Sequence, residues 1–181
     1  EVYEHYTFDQ RSHISIGCLD GMENRTITIN GLSKSHAMTG WRLGYLHAAP
    51  EIQDVALRVN QHLNTCATAF VQHAAVEAFD ATDHLPEAVE TYQKNRDVFV
   101  DNIPFPAVVP EGAFYCLVDV RDYTDDEGKF AKQLLKETNV AFTPGRTYGS
   151  TAAGFLRASL AAETNLIQEA AERVAAWKKN Q

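Results

Sequence analysis

At 181 residues the chain is long enough for one domain, or one and a half, with a substantial core. Its 45% hydrophobic and 22% charged residues are an ordinary soluble composition, and no apolar run reaches the length of a membrane span. With 16 basic residues against 24 acidic, a net charge of -8 and no basic cluster, it is a poor match for nucleic acid or an anionic membrane surface.

In chain order, the opening Glu1-Val2-Tyr3-Glu4-His5-Tyr6 reads like the end of a strand already under way, so a longer chain is expected around it. Residues 26–30 alternate polar and apolar with β-branched side chains, which predicts a strand ended by Gly31. A polar loop carrying Lys34 follows, then a second strand over residues 41–47, stopped before Pro50. Pro50 suits the first turn of a helix to about Asn60. Leu63, Ala67, Phe70, Val71, Ala74, Ala75 and Ala78 recur at helical spacing and predict a helix over 64–79. His62 and His73 are expected on one long helix.

After Pro86 a longer helix turns Val89, Tyr92, Phe99 and Ile103 inward and leaves Glu87, Glu90, Lys94 and Asp97 in water; Pro104 and Pro106 end it. Residues 114–120 form a strand, and Thr124-x-x-Glu127 is a capping-box pattern opening a helix to about Glu137. Short strands at 140–143 and 155–160 flank a Pro144-Gly145 loop. A last helix, about Thr164 to Lys178, buries Leu166, Ile167, Ala170 and Val174. The rhythm changes near residues 80–86, dividing the chain into a 1–85 part and an 86–181 part bridged by the long helix.

Cys18, Cys66 and Cys116 are widely spaced and odd in number, which suggests neither a zinc site nor a disulfide framework and fits a reduced, cytoplasmic setting. The seven histidines show no ligand spacing, and no metal site is expected.

The densest chemistry lies in Gly31-Leu32-Ser33-Lys34-Ser35-His36-Ala37-Met38-Thr39-Gly40-Trp41-Arg42-Leu43-Gly44. It is a strand, a small-residue loop with one lysine, and a second cation eight positions later. Small residues let a backbone approach a bulky ligand closely. A partly desolvated lysine beside a cation has the lowered pKa that a Schiff-base amine needs. Arg42 offers a planar fork suited to phosphate. Together they imply a phosphate-bearing carbonyl ligand.

This stretch resembles the lysine signature of fold-type-I aminotransferases dependent on pyridoxal 5'-phosphate (PLP), in the branch of the aspartate, aromatic and alanine enzymes. The resemblance runs over nearly the whole chain and implies the C-terminal half of that α/β fold. Residues 1–85 would be the C-terminal portion of a large cofactor domain with a mostly parallel sheet. Residues 86–181 would be the small α+β domain with its bridging helix. It also implies that Lys34 holds the cofactor as a Schiff base and later moves a proton, while Arg42 and Ser33 bind the cofactor phosphate. Tyr3 matches the tyrosine that hydrogen-bonds the cofactor's phenolic oxygen. The aspartate that partners the pyridine nitrogen stands three residues before that tyrosine in the family, a position ahead of Glu1. Arg157, in Gly154-Phe155-Leu156-Arg157-Ala158-Ser159, matches the arginine that clamps the substrate carboxylate. Arg146 is read as a solvated loop residue. Asn64-Thr65-Cys66-Ala67-Thr68 departs from the family's usual wording and leaves substrate preference open.

The activity implied is ping-pong transfer of an amino group from an amino acid to a 2-oxo acid, in a homodimer, with an N-terminal half needed to complete the pocket. Three other readings stay open at this point: a PLP-dependent β-lyase on the same fold, an inert truncated or split fragment exposing an apolar edge, and a PLP-binding regulatory module. The eight-residue spacing of Lys34 and Arg42 and the acidic composition count against the last.

Overall fold

Alternation of β-branched residues favours a strand only until a turn residue interrupts it, and both N-terminal strands are shorter than their patterns. The computed structural model describes residues 1–181. Strand β1 is Thr28–Asn30, because Thr26 and Arg25 are taken up by a turn in which both donate to the Met22 carbonyl. Strand β2 is Tyr45–His47. Residues 39–41 form a single 3-10 turn, and Arg42 adopts a left-handed conformation (φ 55°) that no strand can continue. The two strands pair antiparallel, with Thr28 opposite His47 and Asn30 opposite Tyr45. The opening residues are turns and not a strand end: Glu4 N–H donates to Glu1 and Tyr6 N–H to Tyr3.

Helix α1 (Pro50–Leu63) starts at its proline and runs past Asn60; α2 (Ala69–Asp80) begins five residues later than its spacing predicts. Between them Thr65 is left-handed (φ 64°), so His62 and His73 lie on two helices and not on one. Helix α1 buries no residue, and α2 buries only Val71 and Ala75. The chain divides into two compact units, Glu1–Glu87 and Ala88–Gln181.

The second unit has a clear sheet-and-helix core. Helix α3 (Leu85–Asn102) leads into strands β3 (Ala107–Val108), β4 (Tyr115–Asp119), β5 (Thr143–Pro144) and β6 (Phe155–Ser159). Their order is β3-β4-β6-β5, with every neighbour antiparallel. Cys116 and Val118 of β4 and Leu156 and Ala158 of β6 are buried, while alternate residues face outward as the strand period requires. Helices α4 (Glu127–Thr138) and α5 (Thr164–Lys178) supply Phe130, Leu134, Ile167, Ala171 and Val174 to this core. In α5 the buried stripe passes through Ala171, and Leu166 is exposed, one position off the inward face. Asn95 of α3 is fully buried and donates to the Leu160 and Ala162 carbonyls, a polar core residue that a hydrophobic pattern does not reveal.

The start of α4 differs from a capping box. Asp126 is the cap and accepts from the Gly128 and Lys129 amides, while the Thr124 hydroxyl accepts from the Asp126 amide. Glu127 is thereby released to point inward. No helix is long and apolar enough to cross a membrane.

Candidate active site

The lysine loop is shaped by close backbone approach. A Cβ on Gly31 would lie 3.1 Å from the Leu43 carbonyl, and one on Gly44 would lie 3.1 Å from that of Asn30. Glycine at both ends of the motif therefore lets the end of β1 pass directly beside the chain entering β2. Asn30, buried at the end of β1, accepts from the Gly31 amide and donates to Glu4 at 2.6 Å. Residues 32–36 then turn on the Leu32 carbonyl, which accepts from the His36 amide. Lys34 lies on this turn, half-buried, and its carbonyl accepts the Tyr6 hydroxyl at 2.8 Å. Tyr6 is itself buried, so the backbone of the lysine is fixed from a second segment. Tyr3, also half-buried, sits three residues before it in the same opening turn, and Ser33 is half-buried beside Lys34.

Two histidines brace the far side of this turn. The His84 ring bonds the Ser35 carbonyl at 2.7 Å, the Ser35 hydroxyl bonds His36 Nδ1 at 2.8 Å, and the two rings meet edge to face. Desolvation, with His84 beside it, holds the His36 pKa below its ordinary value and favours the neutral ring. Neither histidine has a spacing that announces this, because His84 arrives from 49 residues away.

Arg42 is exposed, and its left-handed backbone lets Nη1 donate to the Thr39 carbonyl at 2.6 Å. No acid of the chain pairs with it, so a cation with free donors borders a cavity of about 870 Å3 lined also by Trp41, Asn60, Asn64, Thr68 and Phe70. Tyr3, Ser33 and Lys34 do not line this cavity. An unpaired guanidinium in a fixed turn suits a phosphate.

Arg157 stands in the second unit, on the outward face of β6, opposite Leu117 of β4 and Thr143 of β5. Its guanidinium carbon lies 4.1 Å from the Tyr115 ring centre and 4.2 Å from that of Tyr148. Its Nε is buried and has no hydrogen-bond partner, and no acid of the chain pairs with it. A buried N–H donor left without a partner costs free energy unless an acceptor completes it. The structural role open to Arg157, an ion pair with a neighbouring acid, is absent. Tyr115 and Tyr148 were not legible as its partners, because cross-strand register and a turn bring them there.

Arg146 is not a solvated loop residue. Although its side chain is 56% exposed, Nε and Nη2 grip both carboxylate oxygens of Glu127, whose side chain is 2% exposed. The Arg146 hydrogen bonds hold the Glu127 carboxyl down at about 2.

The family described as aminotransferase class I and II matches residues 1–174. The chain belongs to it. Among class I and II aminotransferases it is 36% identical to an aspartate aminotransferase of Pyrococcus abyssi, over 96% of this chain and 46% of that protein. An aromatic-amino-acid aminotransferase of Thermococcus litoralis is 35% identical over the same shares. The solved aromatic aminotransferase of Pyrococcus horikoshii superimposes with a TM-score of 0.91 at 38% identity, covering 99% of this chain and 49% of that one. The chain thus spans about half the length of the relatives it matches. The fold is that of the PLP-dependent aminotransferases, and the sheet within Glu1–Glu87 is the two-stranded antiparallel β1–β2 pair. PLP is the cofactor of this family.

Proposed function

We propose that this chain supplies the lysine, phosphate-arginine and carboxylate-arginine elements of an aminotransferase moving amino groups from an amino acid to a 2-oxo acid. The observation that carries the reading is Arg157: a half-buried side chain whose guanidinium meets two tyrosine rings, with a buried, orphaned Nε and no acid of its own. Such a fork is matched by a planar carboxylate, the one group every amino acid and 2-oxo acid shares.

The donor set of the first unit suits PLP. Arg42 would hold the phosphate, with Ser33 adding a hydroxyl, and Lys34 would hold the carbonyl end. Tyr3 would donate its hydroxyl to the phenolic oxygen. When bound, PLP supplies an electron-withdrawing ring that acidifies the substrate's α-carbon. The work of this chain is then positional and protonic. The Tyr6 bond to the Lys34 carbonyl fixes the backbone from which the amine reaches. Nζ of Lys34 would take and return the proton of the substrate's α-carbon. Arg157 sets the substrate's orientation through its carboxylate.

In this reading Glu1–Glu87 is the C-terminal portion of the large domain and Ala88–Gln181 the small domain. The working enzyme is a cytoplasmic homodimer, and further polypeptide completes the cofactor pocket. Support comes from α1 and α2, whose Val55, Leu57, Phe70 and Val76 are all exposed.

The test is to add PLP to the chain, reduce with borohydride and map the pyridoxyl label by mass spectrometry, with Lys34→Ala as control. Stoichiometric label at Lys34 alone is expected when the pocket is complete. Label spread evenly over the lysines of a complete enzyme would sink the assignment of Lys34.

A further inference from the structure

Outside the residues assigned above, Arg146 grips both oxygens of the buried Glu127 carboxylate. Glu127 opens α4, and Arg146 belongs to the 3-10 turn Gly145–Tyr148 that follows β5. Two residues beyond Arg146, Tyr148 carries its ring over Arg157. The two rings on Arg157 are held in different ways. Tyr115 lies within β4, fixed by its ladder with β6. Tyr148 is half exposed, in a turn outside any strand, and needs some other anchor. The bidentate grip of Arg146 on a buried carboxylate is such an anchor, since two parallel bonds fix orientation as well as distance.

We propose that the Glu127–Arg146 pair is a positioning device for Arg157, locking the turn that keeps the Tyr148 ring on the guanidinium. The proposal rests on the reading of Arg157 as a carboxylate clamp. A fork sandwiched by two rings has lost most of its rotamer freedom before an anion arrives, so less is lost on binding. Glu127 and Arg146 themselves touch neither substrate nor cofactor; they act through Tyr148.

The test follows the Arg157 Nε–Hε resonance in the 15N-labelled full chain. Two ring faces should shift it well upfield in the wild type, and titration with succinate, a simple carboxylate probe, should move it further. Arg146→Gln should return the resonance toward its position in Tyr148→Leu and weaken succinate about fivefold, the size expected for one lost cation–π face. Tyr148→Phe keeps the ring and should match the wild type. Arg146→Lys, which keeps a cation beside Glu127 and guards against simple unfolding, should fall between wild type and Arg146→Gln. The deciding measurement is the double variant Arg146→Gln/Tyr148→Leu. If Arg146 acts through the ring, the double variant binds succinate no more weakly than Tyr148→Leu alone. An unmoved resonance in Arg146→Gln, or losses that add in the double variant, overturns the proposal. A wild-type resonance that ignores succinate would instead overturn the clamp reading, while the resonance positions still decide whether the pair places the ring.

Discussion

Arg157 has no acid of its own, and two tyrosine faces offset part of the cost of its desolvation while leaving its donors open. The planar fork is what makes this useful, so charge alone should not replace it. In the assembled enzyme, Arg157→Lys is expected to raise KM for the amino acid about 10- to 100-fold, the loss of a charged bidentate contact, with a smaller change in kcat. Steady-state kinetics with several donors checks this; a general clamp weakens all of them alike. Gly145 has an equally specific reason to be what it is. A Cβ there would lie 2.0 Å from the Ala152 carbonyl and 2.8 Å from that of Phe155, both of them backbone. Gly145→Ala should therefore destabilise the second unit by about 1–3 kcal/mol, as overpacking does. Gly40→Ala, whose Cβ meets nothing within 4 Å, is the matched control in a thermal melt.

The Glu127–Arg146 pair ties an element to a turn, and its charge state sets a pH dependence. Glu127 titrates at about 2 in the folded chain, below the ordinary 4.5, because Arg146 hydrogen-bonds its charged form. Its contribution is therefore complete above pH 4.5 and fades as pH falls toward 2. Arg146→Gln leaves a buried carboxylate without its partner and should lower the melting temperature most at neutral pH. The gap between variant and wild type should narrow between pH 5 and pH 2.5; a gap that stays constant would mean the pair is not ionic. This element also shows where a sequence can be read and where it cannot. Helices α3 and α5 were legible because long apolar periodicity survives any tertiary context, helped in α3 by prolines near its ends, and the lysine motif was legible because its residues are contiguous. The ends of β1 and β2 were not, since a left-handed Arg42 and a turn at Met22 are backbone events that β-branched composition does not encode. Glu127 resembled half of a capping box because Asp126, one residue earlier, took the capping role. The ring sandwich on Arg157 depends on β4–β6 register and on a turn, so nothing within any one segment announces it.

At the scale of the whole molecule the two units are built differently. Ala88–Gln181 buries alternate residues of β4 and β6 beneath helices, whereas α1 buries nothing and α2 only two residues. Ile29, Leu57, Leu63, Phe70 and Val76 are all more than half exposed. Apolar surface returns about 25 cal/mol per Å2 when it leaves water, so a face of this kind associates unless it is already covered. The chain alone is therefore expected to sediment as a concentration-dependent oligomer and to bind an apolar dye, with the second unit melting as the more cooperative transition. Replacing Phe70 and Val76 of α2 with lysine tests this directly, because neither side chain is buried in the chain itself. Both substitutions should shift sedimentation toward the monomer and reduce dye binding, with the melt of the second unit unchanged. Sedimentation as a monomer in the wild type, at concentrations where the dye still binds, would show that the face needs polypeptide of a different sequence and not a second copy of this one.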